Sequence, residues 1–289
     1  MNTKLPVSLP EHKLREIEAI KQVIVDFVDP DKIILYGSYA KGKYVEHVYI
    51  KDGIRHFYIS DYDLVIIAEN FTVKPYELAD ELEKRIGSRP DVNFFMYKSA
   101  HFNEKLKNGH HFYVPVYNEG VLLYDAKQTE LVTPGPIDIN QIRANSLEYF
   151  DFWIDHAERF YKHALIEFDD VIANKSRSNL AVWFSFQSIE SIYSALLLIF
   201  MGEKPKHHNL IRYRRSVQSI STDLNKIFPD VKDSYERNLF DLLNRAYIGA
   251  KYKIDYEAPE RDVQELLKRV EKMIAVAKQV CMERIESYK

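Results

Sequence analysis

A change in the hydrophobic pattern at Thr133-Pro134-Gly135-Pro136 divides this 289-residue chain into two parts. Before this segment, short apolar runs alternate with stretches of helical spacing, which predicts a mixture of strands and helices. After it, nearly every stretch has the three-to-four-residue spacing of an amphipathic helix. We therefore expect an α+β domain at residues 1–132, with a mixed sheet and flanking helices, and an all-α helical bundle at residues 133–289.

The apolar runs and their breaks predict the individual elements. In the first part, the predicted strands are 33–36, 64–68 and 92–97, and the predicted helices are 11–28, 75–86 and 99–107. Two hairpins are also predicted, one inserted at 43–60 and one that pairs 112–117 with 120–124. In the second part, the predicted helices are 138–172, 177–201, 208–221, 231–250 and 259–287.

The composition favours an ordinary soluble protein. The formal net charge of −3 argues against a protein that coats nucleic acid non-specifically, because such binding needs a basic surface. The single cysteine, Cys281, excludes a disulfide framework within one chain. The longest apolar run, residues 195–201, is far too short to span a bilayer, and the N-terminus does not have the pattern of a signal peptide. We expect a cytoplasmic protein without a membrane partner.

A glycine and a serine follow the first predicted strand, within Gly37-Ser38-Tyr39-Ala40-Lys41-Gly42. A strand-to-helix bend of this kind offers backbone N–H groups and a hydroxyl to phosphate oxygens. Lys41 adds a cation in the same turn, so we count Gly37, Ser38 and Lys41 as candidate nucleotide-binding residues. The alternative for this segment alone is a plain turn.

Two acidic residues, Asp61 and Asp63, directly precede the strand at 64–68. Residues two apart on a strand point to the same face, so the two carboxylates converge. Such a pair repels itself unless a cation lies between its members. Carboxylate oxygens suit Mg²⁺ (or Mn²⁺), which usually takes one or two carboxylates together with substrate phosphates. The alternative for this pair alone is a solvated acidic loop.

The two motifs, in this order, resemble the nucleotidyltransferase superfamily that includes DNA polymerase beta. They are similar in particular to the small bacterial and archaeal members related to kanamycin nucleotidyltransferase, over roughly residues 15–125. The resemblance implies that Gly37 and Ser38 hold the phosphates of an NTP substrate and that Asp61 and Asp63 bind the metal. It also implies transfer of NMP to a hydroxyl acceptor. Ser38 and Asp61 are 23 positions apart (61 − 38), wider than in small members, and the segment 43–60 accounts for the excess.

The same resemblance implies a third carboxylate on the next strand, where it helps to activate the attacking hydroxyl. Judged by the distance to Phe102, that position falls on Asn93, whose neutral amide is not a base. Asp91 lies two residues earlier and would share the face of Asn93 on a strand. Two interpretations stay open for Asp91, a catalytic carboxylate or a turn residue after Pro90.

The second part resembles HEPN domains (higher eukaryotes and prokaryotes nucleotide-binding), which are helical bundles often fused to such nucleotidyltransferases. The resemblance covers about residues 140–287 and depends on the long helix that begins near Trp183 and on the run from Arg245 to Tyr252. Many HEPN domains are ribonucleases that use Arg, four to six residues and then His. Arg159 and His163 have only three residues between them, so we do not expect ribonuclease activity.

The resemblance to HEPN domains leaves nucleotide or phosphate binding as a role for the second part. Tyrosine rings stack on bases, and basic side chains neutralise phosphate. The alternative is that the tyrosines pack at the edge of the core and the cations are solvated. The candidate residues are Arg245, Tyr247, Lys251 and Tyr252.

Two histidine pairs, His110-His111 and His207-His208, have no second pair with metal-ligand spacing. We therefore interpret His207-His208 as a surface loop at the start of a helix. His110-His111 is interpreted as a loop before a strand, near the candidate site, with no chemistry assigned.

Three functions remain open from the sequence. The first is a metal-dependent nucleotidyltransferase in which the HEPN domain helps to shape the nucleotide and acceptor site. Its acceptor would be a small molecule, a protein side chain or an RNA end. The second is a nucleotide-binding sensor or antitoxin-like module with weakened transfer, which Asn93 favours. The third is an interaction protein whose helical bundle forms a homodimer.

Overall fold

The computed structural model describes residues 1–51, 54–87, 92–204, 207–218, 220–229 and 234–289. Within these ranges, only the backbone is described for residues 46–51, 54–59 and 76. The chain divides into two compact units, Met1–Asp138 and Ile139–Lys289. The first contains a mixed four-stranded sheet with helices, and the second is helical.

The first unit contains six strands and five helices among its described residues. The strands are β1 Lys32–Tyr36, β2 Glu46–Lys51, β3 Ile54–Ile59, β4 Tyr62–Ala68, β5 Val92–Lys98 and β6 Val121–Asp125. The helices are α1 Glu11–Val28, α2 Gly37–Ala40, α3 Pro75–Ile86, α4 Ser99–Lys107 and α5 Tyr113–Glu119. The predicted helices at 11–28, 75–86 and 99–107 and the three predicted strands are thereby confirmed.

The main sheet has the strand order β5-β4-β1-β6. Strand β4 lies in its middle, antiparallel to β1 and parallel to β5, and both of its faces are covered. One face carries Leu64 and Ile66, which join a core with apolar side chains of α1 and α3. The other face carries Val65 and Ile67, which are equally buried, and α4 and α5 lie against this side of the sheet. Double-sided burial explains why β4 is continuously apolar in sequence.

Strands β2 and β3 form a separate antiparallel hairpin with the register Glu46↔Ile59 to Lys51↔Ile54. This confirms the inserted hairpin predicted at 43–60. Residues 52 and 53 of its predicted turn lie outside the described part of the chain. The hairpin separates the Gly37 bend from Asp61 in the sequence without interrupting the main sheet.

The predicted strand at 112–117 is wrong, because Tyr113–Glu119 forms the helix α5. Only β6 of the predicted closing hairpin is a strand, and it pairs with β1. Pro115 explains the difference, since proline cannot donate to a strand ladder but is tolerated in the first turn of a helix. The helix α5 buries the side chains of Tyr113, Val114 and Val116.

The segment around Thr133-Pro134-Gly135-Pro136 is fastened to α4 by hydrogen bonds. The Gly135 N–H donates to the Leu106 carbonyl at 2.9 Å, and the Val132 N–H donates to Asn103 Oδ1 at 2.9 Å. The Asn103 amide donates in turn to the Glu130 carbonyl at 2.9 Å. The first compact unit therefore continues through the proline-rich segment to Asp138.

The second unit is helical throughout its described residues, apart from short connections. Its helices are α6 Ile139–Asn174, α7 Asn179–Met201, α8 Leu210–Val217, α9 Thr222–Asn225, α10 Ser234–Tyr252 and α11 Glu260–Ser287. Helices α6, α10 and α11 all contact α7, which lies at the centre of the core. The helix predicted at 208–221 is shorter in the structure, because α8 ends at Val217 and the next helix, α9, begins only at Thr222. The side chains of Asn209 and Ser221 cap the N-termini of these two helices by accepting backbone N–H bonds, and each cap marks a separate start.

Helix α7 is long and apolar enough to cross a membrane by length and composition. However, 72% of its most apolar window is buried inside the protein. A mostly buried apolar helix is what the core of a soluble protein contains, and the structure has that character. A helix that is apolar on all sides, such as α7, is suited to the centre of a core.

Candidate functional site

The candidate site of the first unit lies where three strands of the sheet meet at one edge. Tyr36, at the end of β1, is paired with Asp63 near the start of β4. Asp63 is paired on its other side with Asn93, near the start of β5. Paired residues on neighbouring strands project to the same face. The register alone therefore brings the bend after Tyr36, the acidic pair and Asn93 together.

The bend after β1 is the short helix α2, which begins at Gly37 with φ +75°. A Cβ atom on Gly37 would lie 2.2 Å from Asp63 Oδ2, which is closer than any real contact of this kind. Glycine is therefore required here for two reasons, the left-handed backbone and the close approach of a carboxylate. Ser38 follows it and is half-buried.

A stack of three tyrosine rings holds the bend in place from the opposite side of the sheet. The buried Tyr39 of α2 stacks on Tyr62 with ring centroids 4.1 Å apart and on Tyr44 at 4.7 Å. The Tyr62 hydroxyl donates to Glu16 Oε2 at 2.6 Å. Burial is the main reason that the pKa of Tyr62 is raised, so this hydroxyl remains a donor. Tyr62 lies between Asp61 and Asp63, so its anchoring restrains the backbone that carries the two acids.

The two acids share one hydrogen-bond donor. Asn93 Nδ2 lies 3.2 Å from Asp61 Oδ2 and 3.0 Å from Asp63 Oδ1, so the amide donates to both carboxylates. Burial raises the pKa of Asp63 to about 6, although the hydrogen bond from Asn93 acts in the opposite direction. The acids predicted to converge are therefore brought together. Asp91 lies outside the described residues, and its role stays a prediction.

Lys41, the third residue predicted for the bend, lies on the surface with its charge engaged. Lys41 Nζ is 2.6 Å from Glu119 Oε2 and 5.8 Å from the centre of the Tyr36 ring. The hydrogen bond to Glu119 raises the pKa of Lys41, so the ammonium stays charged. To bind a phosphate, Lys41 would have to exchange Glu119 for it.

His110 and His111 lie in an aromatic cluster on the site face of the sheet. Their rings stack with centroids 5.0 Å apart, and the adjacent Phe112 packs against Tyr36 and Phe95. Burial, together with the charges of His111, Lys105 and His101, lowers the pKa of His110 to about 4. His110 is therefore neutral at neutral pH and acts here as an aromatic packing group.

The four candidate residues of the second unit all lie on α10, but on different sides of it. Arg245 and Tyr252 are seven residues apart and share the exposed face, where Tyr252 is 69% exposed. Tyr247 is half-buried at the other edge, and its ring stacks on His208 with centroids 4.2 Å apart. Lys251 is exposed, and its Nζ lies 5.1 Å from the Tyr252 ring. Nucleotide binding by this set stays a prediction.

Sequence reasoning missed a polar pair in the second unit, Glu190 and His208. His208 Nδ1 lies 2.7 Å from Glu190 Oε1, and only 12% of the Glu190 side chain is exposed. Burial raises the pKa of Glu190, and His208 opposes this shift. The available signal was that Glu190 is the one charged residue of α7, a helix that is otherwise mostly apolar. His208 is thus more than part of a surface loop.

The neighbouring His207 is also held by packing. Its ring meets Tyr213 edge-on, with centroids 4.9 Å apart. Burial, with a smaller contribution from His208, lowers the pKa of His207 to about 4. Among the residues that the structure describes, no group of three or more His, Cys, Asp or Glu side chains has metal-binding geometry.

The helices of the second unit also match a known family in sequence. A family model described as the HEPN domain matches residues 150–280, from the middle of α6 to near the end of α11. Residues 150–280 are a HEPN domain. Arg245, Tyr247, Lys251 and Tyr252 therefore lie in the HEPN domain, as do Glu190 and His208. No curated protein sequence matches the chain.

Proposed function

We propose that the first unit binds a complex of a divalent metal and a nucleoside triphosphate at the edge of its sheet, and that it transfers the NMP to a hydroxyl acceptor. One observation carries the proposal. The glycine bend at Gly37 lies against the carboxylate of Asp63, and that carboxylate shares the Asn93 amide with Asp61. A phosphate-binding bend beside an acidic pair is the arrangement that a metal–triphosphate complex requires.

The residues present fit Mg²⁺ or Mn²⁺ in their chemistry. Asp61 and Asp63 supply carboxylate oxygens, and both carboxylates face the same Asn93 amide. Mg²⁺ needs only one or two carboxylates when substrate phosphates complete its coordination. When bound, such an ion stabilises the charge that develops at the α-phosphorus as pyrophosphate leaves.

The residues of the chain then have distinct roles. The bend at Gly37 and Ser38 orients the triphosphate through backbone N–H groups and the serine hydroxyl. Asp61 and Asp63 hold the metal side of the complex at a fixed position, because Tyr62 between them is anchored to Glu16. Lys41 releases Glu119 and neutralises phosphate charge.

A second candidate function is a nucleotide-binding sensor with weakened transfer, and Asn93 is the observation that favours it. Its amide nitrogen faces both carboxylates, whereas a base for the attacking hydroxyl needs a basic oxygen or nitrogen at that position. The sensor keeps the metal–nucleotide site and lacks efficient transfer.

The two functions are distinguished by incubating the full chain with each α-³²P-labelled NTP and Mg²⁺. The acceptors are an RNA oligonucleotide with a free 3′ hydroxyl, the protein itself and a panel of polyhydroxylated small molecules. For a transferase, we expect label in one acceptor and at least about a hundredfold less label with Asp61→Asn/Asp63→Asn, since two metal-binding charges are lost.

The control is Glu18→Gln/Asp26→Asn, which removes two charges from the exposed surface of α1. It should label as well as the wild type. Equal labelling by the Asp61→Asn/Asp63→Asn variant would contradict the transferase proposal. Mg²⁺-dependent binding of an NTP without label in any acceptor would favour the sensor.

A further inference from the structure

Asn93 places its amide nitrogen between the two acids of the proposed metal site. Its Nδ2 atom lies 3.2 Å from Asp61 Oδ2 and 3.0 Å from Asp63 Oδ1. An amide nitrogen has two N–H bonds, so each carboxylate receives one of them. The Asn93 amide therefore links the two acids without adding a charge.

The surroundings leave only this orientation of the amide favourable. Turned over, the amide would present its oxygen, an acceptor without a proton, to two acceptor carboxylates. The Asp63 carboxylate also has little room to move, because its Oδ2 atom lies against the backbone of Gly37. The amide bridge thus relieves part of the repulsion that would otherwise separate two neighbouring carboxylates.

We propose that Asn93 is a positioning residue that keeps the Asp61–Asp63 pair assembled without a metal and thereby weakens the affinity of the site for a free divalent cation. The inference rests on the proposed metal site at these two acids. A cation that enters between them must first displace both amide hydrogen bonds. It gains less from relieving the carboxylate repulsion, since the amide already relieves part of it.

An order of loading follows from this competition. A free metal ion that displaces the amide bridge gains only the attraction between its charge and the two carboxylates. A metal–triphosphate complex gains in addition the contacts of its phosphate oxygens with the Gly37–Ser38 bend. The site is therefore loaded by the metal–nucleotide complex as a unit, and the protein without nucleotide holds little metal.

The test is a titration of the full chain with Mn²⁺ alone, in which electron paramagnetic resonance measures the free ion. Asn93→Ala removes the bridge and leaves the repulsion, so we expect Mn²⁺ to bind about tenfold more tightly than in the wild type. Asn93→Asp also adds a third carboxylate, and we expect at least about a hundredfold tighter binding. Asn70→Ala, an exposed asparagine after β4, should leave the affinity unchanged.

A second readout is the thermal midpoint with and without Mn²⁺. The rise in the thermal midpoint on adding Mn²⁺ should be larger for Asn93→Ala than for the wild type. In the variant, the bound ion relieves carboxylate repulsion that the amide no longer relieves. If Asn93→Ala does not fold without metal, Asn93→Ser takes its place, since one hydroxyl proton cannot be donated to both acids.

The outcomes separate this inference from the proposed function. If Mn²⁺ with ATP binds to the wild type and Asn93→Ala binds free Mn²⁺ with unchanged or lower affinity, the role of Asn93 is overturned and the metal site stands. If neither the wild type nor Asn93→Asp binds Mn²⁺, with or without ATP, both the role of Asn93 and the proposed function are overturned.

Discussion

Replacing Lys32 by Met is expected to lower the free energy of unfolding by about 3–5 kcal/mol, the cost of leaving a buried charge without its partner. Lys32 lies at the start of β1 with 6% of its side chain exposed, and the adjacent Asp31 side chain is 1% exposed. Lys32 Nζ donates to both carboxylate oxygens of Asp31 at 3.2 Å and to Asp125 Oδ1 at 2.8 Å. It also donates to the Thr129 carbonyl at 2.5 Å.

The ammonium of Lys32 therefore ties the end of β6 and the following loop to the start of β1. Methionine fills a similar volume but cannot donate, so Asp31 would keep only its remaining bonds, among them that from the Gln128 N–H. This end of β1 is opposite to the end that carries Gly37. We therefore expect Lys32→Met to lower the stability of the fold without directly changing the contacts of the candidate site.

Equilibrium denaturation in urea measures this effect. Lys84→Met is the control, because Lys84 is 74% exposed and its ion pair with Glu81 is worth at most about 1 kcal/mol. Adding Asp31→Asn to Lys32→Met should restore part of the loss, since the buried negative charge is then removed. A loss below about 1 kcal/mol for Lys32→Met would show that the buried cluster does not stabilise the fold.

Replacing Gly37 by Ala is expected to weaken binding of a metal–NTP complex at least about hundredfold, which corresponds to about 2.7 kcal/mol. The new Cβ atom would lie 2.2 Å from Asp63 Oδ2, so the carboxylate or the bend must move. The backbone φ of +75° adds strain for any residue with a side chain. Both effects act on the atoms proposed to receive the metal and the phosphates.

Gly87 provides a matched control for this substitution. It also has a left-handed backbone, with φ +94°, but a Cβ atom there would meet no atom within 4 Å. Gly87→Ala should therefore cost stability through strain alone and leave affinity for the metal–NTP complex unchanged. Isothermal titration with Mg²⁺ and a non-hydrolysable NTP analogue measures both variants. Equal affinity of Gly37→Ala and the wild type would exclude this bend from the binding site.

Local sequence patterns predicted most of the elements because few forces competed with them. The helix at 75–86 has Pro75 in its first turn and Gly87 at its end, two signals that agree. The strand at 64–68 is buried on both faces, so an unbroken apolar run was sufficient. The hairpin at 43–60 followed from alternating residues around a glycine turn.

The pattern was insufficient where one residue decided between two structures. Residues 112–117 are apolar enough for a strand, and Pro115 determines that they form α5 instead. The segment at 208–221 was predicted as one helix, yet α8 ends at Val217 and Ser221 caps a separate helix that begins at Thr222. Both signals were present in the sequence but are weak without knowledge of the neighbouring elements.

The candidate site was predictable only where its geometry follows from local structure. The convergence of Asp61 and Asp63 follows from the two-residue period of a strand, and it needs no tertiary information. The bridge from Asn93 depends on the register between β4 and β5, which sequence spacing does not determine. The pairing of Glu190 with His208 joins a residue of α7 to one in the connection after it, 18 positions later, so it was equally beyond local reasoning.

The most direct measurement of the proposed site is a crystal structure of the full chain with Mn²⁺ and a non-hydrolysable NTP analogue. The anomalous signal should place a Mn²⁺ ion about 2–2.5 Å from oxygens of both Asp61 and Asp63, with the triphosphate along Gly37 and Ser38. The Asn93 amide should then no longer donate a hydrogen bond to at least one of the two carboxylates. A nucleotide bound elsewhere, with the Asn93 amide still donating to both acids, would contradict a metal–nucleotide site at this edge of the sheet.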